Sequence, residues 1–160
     1  MGCRPLPAPL IPRAPGAPRM WRRWRQCQTR GMATHPSELS PASVEFMAER
    51  HLATLTTLRA DGSPHVVPVG FTWDGDTLVA RVITSRSSAK VRQARAGRRA
   101  AISQVDGRRW ITLEGVTSVL GDRDSVRDAE ERYAVRYRVP RPNPQRVVVV
   151  LHVDRVLGGL

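Results

Sequence analysis

The chain has 160 residues, enough for one domain with a hydrophobic core and too few for two ordinary domains. Its net charge of +12 is uneven: residues 1–31 hold seven arginines and no acid, while the remainder carries 19 basic and 14 acidic residues. Both cysteines, Cys3 and Cys27, lie in that N-terminal stretch, which excludes a thiolate nucleophile or a cysteine metal site from the rest of the chain. No run approaches the roughly 20 apolar residues of a membrane helix, so a cytoplasmic protein is expected.

Residues 1–35 are predicted to be a disordered basic leader. Six prolines among the first 18 residues oppose a regular helix, and the stretch shows no apolar periodicity. Met32 is the expected start of the working chain, and residues 36–160 are predicted to form one domain. The alternative is that the leader serves as a basic arm for a nucleic acid or an anionic surface.

The domain is predicted to begin with a helix. Ser40 suits an N-cap and Pro41 suits the first helical position, which predicts a helix over about 41–50. Strands are then predicted over 52–58, 65–72 and 77–83, with turns at Asp61-Gly62 and at 74–76.

A second helix is predicted over 89–96, with Gly97 as its terminator. Strands follow over 100–105 and 109–120, and Gly115 inside the longer one predicts a bulge. A helix over 122–138, a proline-rich loop over 138–145 and a last strand over 146–155 complete the chain. Six strands at hairpin spacing with three helices favour a mainly β fold, an antiparallel barrel decorated by helices.

The turn between the third strand and the second helix carries the strongest chemical signal. It places hydroxyl side chains beside basic ones, and its members are Arg81, Thr84, Ser85, Arg86, Ser87, Ser88 and Lys90. Such donors at the start of a helix suit a phosphate group. Lys90 is also the single lysine among 26 basic residues. The competing interpretation is that a serine merely caps the helix while Arg86 and Lys90 face water.

Other catalytic equipment is missing from the sequence. The histidines at 35, 51, 65 and 152 lack metal-ligand spacing, and there is no nucleophile elbow and no G-x-G-x-x-G after a strand. No metal is therefore expected, and no catalytic side chain is assigned. A phosphate pocket on a small barrel fits a protein that takes its chemistry from a phosphorylated cofactor.

Residues 38–157 resemble the pyridoxamine 5′-phosphate oxidase-like split β-barrel superfamily. The resemblance is carried by the segments 52–58, 59–65, 69–71 and 81–90. Within the superfamily the chain is similar to the coenzyme F420-dependent oxidoreductases of actinobacteria, through the segments 50–53, 56–61, 103–107, 113–115, 136–138 and 140–144.

The resemblance implies a six-stranded antiparallel split barrel that forms a homodimer, with coenzyme F420 in a groove between the two barrels. It implies hydride transfer from the reduced deazaflavin to an organic acceptor, for which a tetrapyrrole such as biliverdin, reduced to bilirubin, is one choice. The alternative is FMN as cofactor, in an oxidase or a flavin- or haem-binding protein on the same fold. A nucleic-acid-binding module is the weakest reading, because the body lacks a basic strand with interleaved aromatic residues.

The resemblance also implies roles for individual residues. Lys90, Ser87 and Ser88 would hold the cofactor phosphate. The full set of predicted cofactor-binding residues is Pro68, Val69, Gly70, Arg81, Thr84, Ser85, Ser87, Ser88, Lys90 and Trp110. For Trp110, exposure at a turn or core packing is an equal alternative. Arginines suit the two propionates of a tetrapyrrole, and the predicted substrate-binding residues are Tyr133, Arg136, Tyr137, Arg138 and Arg141. The alternative for each of these is a solvated helix face.

Overall fold

The structure is a computed structural model, and it describes residues 33–159. Its elements are α1 (Pro41–Ala48), β1 (Ala53–Leu58), β2 (Pro64–Val69), β3 (Thr72–Asp74), β4 (Val79–Ser85), α2 (Ala89–Ala94), β5 (Arg99–Asp106), β6 (Arg109–Leu120), α3 (Arg123–Arg136) and β7 (Arg146–Gly159). The strands form one antiparallel sheet in the order β2-β1-β5-β6-β7-β4-β3. A mainly β fold with helices is thus confirmed, with seven strands where six were predicted.

The extra strand arises because the single strand predicted over 65–72 is two strands. Its first part, β2, pairs with β1, while its last part, β3, pairs with β4 at the opposite edge of the sheet. Only Gly70 and Phe71 separate them, and three backbone steps span at most about 11 Å. The sheet must therefore curl until its two edges lie close together, which leaves a barrel that is open rather than closed. We call the Gly70–Phe71 crossing the seam.

Local signals placed the helices well. The Ser40 hydroxyl accepts a hydrogen bond from the Ser43 N–H at 3.2 Å, and the Asp122 carboxylate accepts one from the Ser125 N–H at 2.8 Å. Ser40 is thus the N-cap that the sequence predicted, while Asp122, predicted as the first residue of its helix, is the N-cap of a helix that begins at Arg123. The strand predicted over 77–83 begins later, at Val79, because Leu78 adopts a left-handed conformation with φ 54° that ends the preceding turn.

Gly115 lies at the predicted bulge. The register between β6 and β7 shifts between Glu114 and Gly115, and a Cβ at Gly115 would lie 1.9 Å from the His152 carbonyl oxygen. Only glycine allows the two strands to approach this closely. The bulge bends the two longest strands and so helps the sheet to curl.

Two apolar layers hold the fold together. The barrel interior is filled by fully buried side chains that include Leu55, Phe71, Ile102, Leu113 and Leu151. A smaller cluster of Val79, Ala129, Val148 and Val150 joins α3 to the outer face of β4 and β7. This second cluster packs α3 against the sheet, and in that position the last turn of α3 contacts the seam.

Three residues of the predicted leader are described. Thr34 exchanges two backbone hydrogen bonds with Val156, at 2.9 and 3.0 Å, so the folded domain includes residue 34. The rest of the leader, residues 1–32, lies outside the described residues, and its disorder stays a prediction. Within residues 33–159, no helix is long and apolar enough to cross a membrane.

Candidate active site

A cavity of about 570 Å³ lies where β4 loses its neighbour. The strand β3 pairs with β4 only up to Arg81, so on that side the segment 82–85 has no strand partner. Val82 and Ile83 form one wall of the cavity, and Pro68–Gly70 at the end of β2 forms another. The cavity therefore occupies the gap that the departure of β3 opens in the sheet. The residues that line it are Pro68, Val69, Gly70, Val82, Ile83, Lys90, Tyr133, Arg138, Pro140, Arg141, Pro142, Asn143 and Arg146.

Lys90 brings a half-buried positive charge to this cavity. Its ammonium donates to the Thr84 hydroxyl at 3.3 Å, and that hydroxyl donates in turn to the Ser88 hydroxyl at 3.4 Å. Burial lowers the pKa of Lys90, and no acidic group among the described residues opposes that shift. A cation with one long hydrogen bond to a neutral hydroxyl retains donors for an anionic ligand.

The three serines of the turn make different contacts. Ser88 stands at the N-cap of α2 but makes no side-chain capping bond, so the capping interpretation does not account for its hydroxyl. The Ser85 hydroxyl accepts a hydrogen bond from the Asn143 amide at 2.8 Å, and Asn143 lines the cavity. Ser87 is exposed, and its carbonyl accepts a bond from Arg92 at 2.9 Å. The structure thus gathers Thr84, Ser88 and Lys90 into one cluster and leaves Ser87 at its margin.

Three arginines add charge to the cavity. Arg138 and Arg141 are exposed lining residues, and no carboxylate of the described chain forms an ion pair with either. Arg146 is mostly buried and pairs with Glu130 at 2.6 Å. Since no acidic side chain lines the cavity, it carries a net positive charge and suits a ligand with several negative charges.

Arg81 lies outside the cavity, contrary to its predicted place beside the phosphate. Its guanidinium donates to Asp74 at 3.0 Å and lies 3.6 Å from Asp128 on α3. Burial alone would raise the pKa of Asp74, but hydrogen bonds from Thr77 and from Arg81 outweigh it and hold that pKa below its usual value. Arg81 therefore joins β3, β4 and α3 to one another.

The side chains of Arg136 and Tyr137 also make their hydrogen bonds to groups of the protein itself. The Arg136 guanidinium donates to the carbonyls of Glu49 and Phe71 and to the Gln104 side chain, and burial lowers its pKa. The Tyr137 hydroxyl donates to the His51 carbonyl at 2.8 Å. Neither residue lines the cavity, so their predicted contact with a substrate has no support from this geometry.

Tyr133 does line the cavity, and it packs closely against the seam. Its ring stacks on that of Tyr137 with centroids 4.7 Å apart. A Cβ at Gly70 would lie 2.8 Å from the Tyr133 ring and 3.1 Å from the Tyr137 ring. Glycine at position 70 therefore lets the cavity wall lie directly against α3.

Trp110 lies away from the cavity of its own chain. It is the second residue of β6, is 37% exposed, and pairs across the sheet with Val105, which is also exposed. Its predicted role as a cavity wall stays a prediction, and within one chain it forms part of an outer sheet face.

One further cluster of polar side chains lies outside the cavity lining. Glu49, His51 and Asp106 place potential metal-ligand atoms within 4.8 Å of one another. The Arg109 guanidinium already lies among them, donating to Glu49 at 2.7 and 3.0 Å and to Asp106 at 2.5 Å. Hydrogen bonds from Arg109 and from His51 lower the pKa of Glu49. The cluster is thus an ion-pair network, and the expected lack of a metal stays a prediction.

Residues 39–158 match the family described as pyridoxamine 5′-phosphate oxidase. The chain belongs to this family. Among curated proteins, the chain is 57% identical over 128 residues to the F420H(2)-dependent biliverdin reductase of Mycobacterium tuberculosis (strain CDC 1551 / Oshkosh), a match that covers 80% of this chain and 93% of that enzyme.

Similar solved structures confirm the fold. A conserved hypothetical protein from Mycobacterium tuberculosis superposes with a TM-score of 0.65 at 22% identity, covering 75% of this chain and 84% of that one. A protein described as an F420 reductase superposes with a TM-score of 0.59 at 22% identity, covering 74% and 98% of the two chains. At this level of identity the likeness shows the split-barrel fold alone.

Several residues that line the cavity were not predicted from the sequence. Asn143, Pro140, Pro142 and Arg146 come from the loop before β7 and from its first residue. The proline-rich loop was visible in the sequence, but nothing local showed that it folds back over β4. Pairing of β4 with β7 along 79–85 causes that return, and such a long-range contact leaves no periodic signal.

Proposed function

We propose that the chain is a coenzyme F420-dependent oxidoreductase that transfers a hydride from the reduced deazaflavin to an organic acceptor. The observation that carries this proposal is the 57% identity to the mycobacterial F420H(2)-dependent biliverdin reductase, over 93% of that enzyme. Biliverdin, which would be reduced to bilirubin, is accordingly the first acceptor to test.

The side chains of the cavity fit such a cofactor. The Lys90 ammonium, with the hydroxyls of Thr84 and Ser88 beside it, is suited to a phosphate group. The unpartnered end of β4 and the Pro68–Gly70 wall leave a gap with backbone on both sides, which suits a flat ring with a polar edge. When bound, the reduced deazaflavin supplies the hydride, and the chain holds ring and acceptor together and excludes water.

Arg138 and Arg141 are the best-placed residues for the acceptor. Both line the cavity, and their guanidinium groups are suited to carboxylates such as the two propionates of a tetrapyrrole. Tyr133 adds an aromatic face between them and the seam. Of the five predicted substrate-binding residues, these three are the ones that the cavity geometry supports.

The test is a steady-state assay that follows oxidation of the reduced deazaflavin with biliverdin as acceptor, with reduced FMN in a parallel reaction. We expect bilirubin to form in step with oxidation of the deazaflavin. Arg138→Ala and Arg141→Ala should each raise KM for biliverdin several-fold, and kcat should change little. A protein that binds FMN tightly and leaves the deazaflavin free would contradict the proposal and support the FMN-dependent alternative.

We also propose that the protein works as a homodimer through the outer face of β2, β1, β5 and β6. Leu52, Val66 and Val105 are 68%, 55% and 61% exposed on this face. By strand alternation and register, the uncharged residues of this face are Leu52, Thr54, Thr56, Val66, Pro68, Ala101, Ser103, Val105, Trp110 and Thr112. The charged Arg99 and Glu114 lie on the same face, beside Thr56 and Ala101. A sheet face that exposes several large apolar side chains close together is typical of a surface that a second copy covers.

Light scattering on the wild type and on Val105→Arg tests the dimer. The wild type should have twice the mass of one chain, and the buried arginine should shift the variant to monomer. A wild-type monomer that binds cofactor tightly would contradict the dimer without affecting the proposed reaction. It would also remove the predicted role of Trp110, which lies on this face.

A further inference from the structure

The Tyr137 hydroxyl lies where the ladder between β1 and β2 would have its next hydrogen bond. The last pair of that ladder is Ala53 with Val69, so the same register continues with Leu52 opposite Gly70 and then His51 opposite Phe71. Tyr137 accepts a hydrogen bond from the Phe71 N–H at 3.2 Å and donates one to the His51 carbonyl at 2.8 Å. One phenol hydroxyl thus replaces a direct strand-to-strand bond and keeps the two strands apart.

Arg136 fills the space next to this hydroxyl. Its Nε donates to the Glu49 carbonyl at 3.0 Å, a second nitrogen donates to the Phe71 carbonyl, and the third donates to the Gln104 side-chain oxygen at 2.7 Å. The guanidinium carbon lies 4.3 Å from the centre of the Phe71 ring. Both backbone polar groups of Phe71 are therefore satisfied by α3 and its C-cap rather than by a strand.

This arrangement explains why the chain leaves β1 at the seam. With its own hydrogen bonds supplied by Arg136 and Tyr137, Phe71 is buried without a strand partner, and the chain can pass on to pair with β4. The backbone at Gly70 packs directly against the Tyr133 and Tyr137 rings, so closely that a Cβ there would collide with both. The wall of the cavity at Pro68–Gly70 is thus placed by α3.

We propose that Arg136 and Tyr137 are positioning residues for the deazaflavin ring, because they set the distance between the Pro68–Gly70 backbone and β4. The inference rests on the proposed function, and it gives these two residues a role other than the acceptor binding predicted from the sequence. Their effect reaches the cofactor through the backbone, since neither side chain lines the cavity.

The experiment compares two hydroxyl deletions, Tyr137→Phe and Thr117→Val, under conditions where circular dichroism shows both variants fully folded. Thr117 is the matched control because its buried hydroxyl donates to the Ala94 carbonyl at 3.0 Å and the residue lies away from the cavity. Affinity is measured by fluorescence for coenzyme F420 and for a deazaflavin that carries its ribityl chain but no phosphate. Amide hydrogen exchange at Phe71 reports whether the seam has opened.

Tyr137→Phe should weaken both ligands by roughly the same factor, about five- to twentyfold, and should speed exchange at Phe71. Lys90→Ala should weaken only the phosphorylated ligand, and Thr117→Val should lower the melting temperature without changing either affinity. Unchanged affinities for Tyr137→Phe would overturn the positioning role while the proposed function stands. Failure of the wild type to bind either deazaflavin would instead remove the proposed function, and this role with it.

Arg136→Lys provides a second test in case Tyr137→Phe does not fold. The lysine keeps a positive charge near the Phe71 ring but cannot make the three spaced hydrogen bonds of a guanidinium. The variant should also lose affinity for the phosphate-free deazaflavin. Wild-type affinity in a folded Arg136→Lys protein would contradict the proposal.

Discussion

The cations among the predicted cofactor- and substrate-binding residues fall into two groups with opposite environments. One group lines the cavity and makes no ion pair with the described carboxylates; it consists of Lys90, Arg138 and Arg141. The other group, Arg81 and Arg136, is partly buried and donates hydrogen bonds to groups of the protein. The first group is available to a ligand and the second holds elements together. The difference shows that the role of a basic residue near a binding site can be assigned only when its hydrogen-bond and ion-pair partners are known.

The largest expected effect is the loss of stability in Arg136→Ala. The substitution leaves the fully buried Gln104 oxygen and the Phe71 carbonyl without a donor, which should cost roughly 2 to 4 kcal/mol in free energy of unfolding. Urea denaturation measures it, with Arg138→Ala as the matched control that should change by less than about 0.5 kcal/mol. Equal losses in the two variants would erase the distinction between the two groups.

Lys90→Ala should have the next largest effect, and it should appear in binding rather than in folding. Loss of a charge-assisted contact to the phosphate, worth about 1.5 to 3 kcal/mol, should weaken coenzyme F420 binding by roughly ten- to a hundredfold. The melting temperature should stay the same or rise slightly, since burial of this ammonium disfavours its charged form. Fluorescence titration at moderate salt measures the affinity. An unchanged value would mean that the hydroxyl cluster does not hold the phosphate.

The Asp74–Arg81 pair should give an acid-dependent stability. Because the folded state holds the pKa of Asp74 below its usual value, the unfolded chain takes up the proton first as pH falls. The stabilisation is complete above about pH 5 and is lost as pH drops through the usual aspartate pKa, near 4, toward the lower folded value. Asp74→Asn should be less stable than the wild type by on the order of 1 to 2 kcal/mol at pH 7. The difference should shrink in acid, and a difference independent of pH would exclude the ionised pair as its source.

The smallest effect is expected for Arg86→Ala. Arg86 is exposed and lines a separate cavity of about 520 Å³, together with Gly121 and Val147, rather than the one that contains Lys90. Its removal should change coenzyme F420 affinity by less than about threefold. A loss as large as that of Lys90→Ala would show that the ligand extends into this second cavity.

Local patterns predicted much of the fold. Ser40 caps its helix as expected, the strand over 109–120 has the predicted bounds, and Gly115 marks the bulge. The predicted strand over 65–72 was wrong because its division at Gly70 depends on Arg136 and Tyr137, more than 60 residues away. An alternating apolar pattern cannot show that a distant helix will replace the next strand partner.

The sequence also predicted only part of the candidate site, because some of its contacts are local along the chain and others are long-range. The hydroxyls and Lys90 lie within one turn of the chain, so their spacing alone brought Thr84, Ser88 and Lys90 together. Arg81 faces Asp74 and Asp128 instead, and only the pairing of β3 with β4 and the packing of α3 place those acids beside it. Long-range pairing therefore decides which of the predicted side chains meet.

The most direct test of the central claim is a fluorescence titration of the wild-type protein with coenzyme F420, with FMN titrated in parallel. The cavity between β4 and Pro68–Gly70, with Lys90 at one end, should bind the deazaflavin with a Kd at least tenfold below that for FMN. Tighter binding of FMN, or no binding of coenzyme F420, would contradict the account.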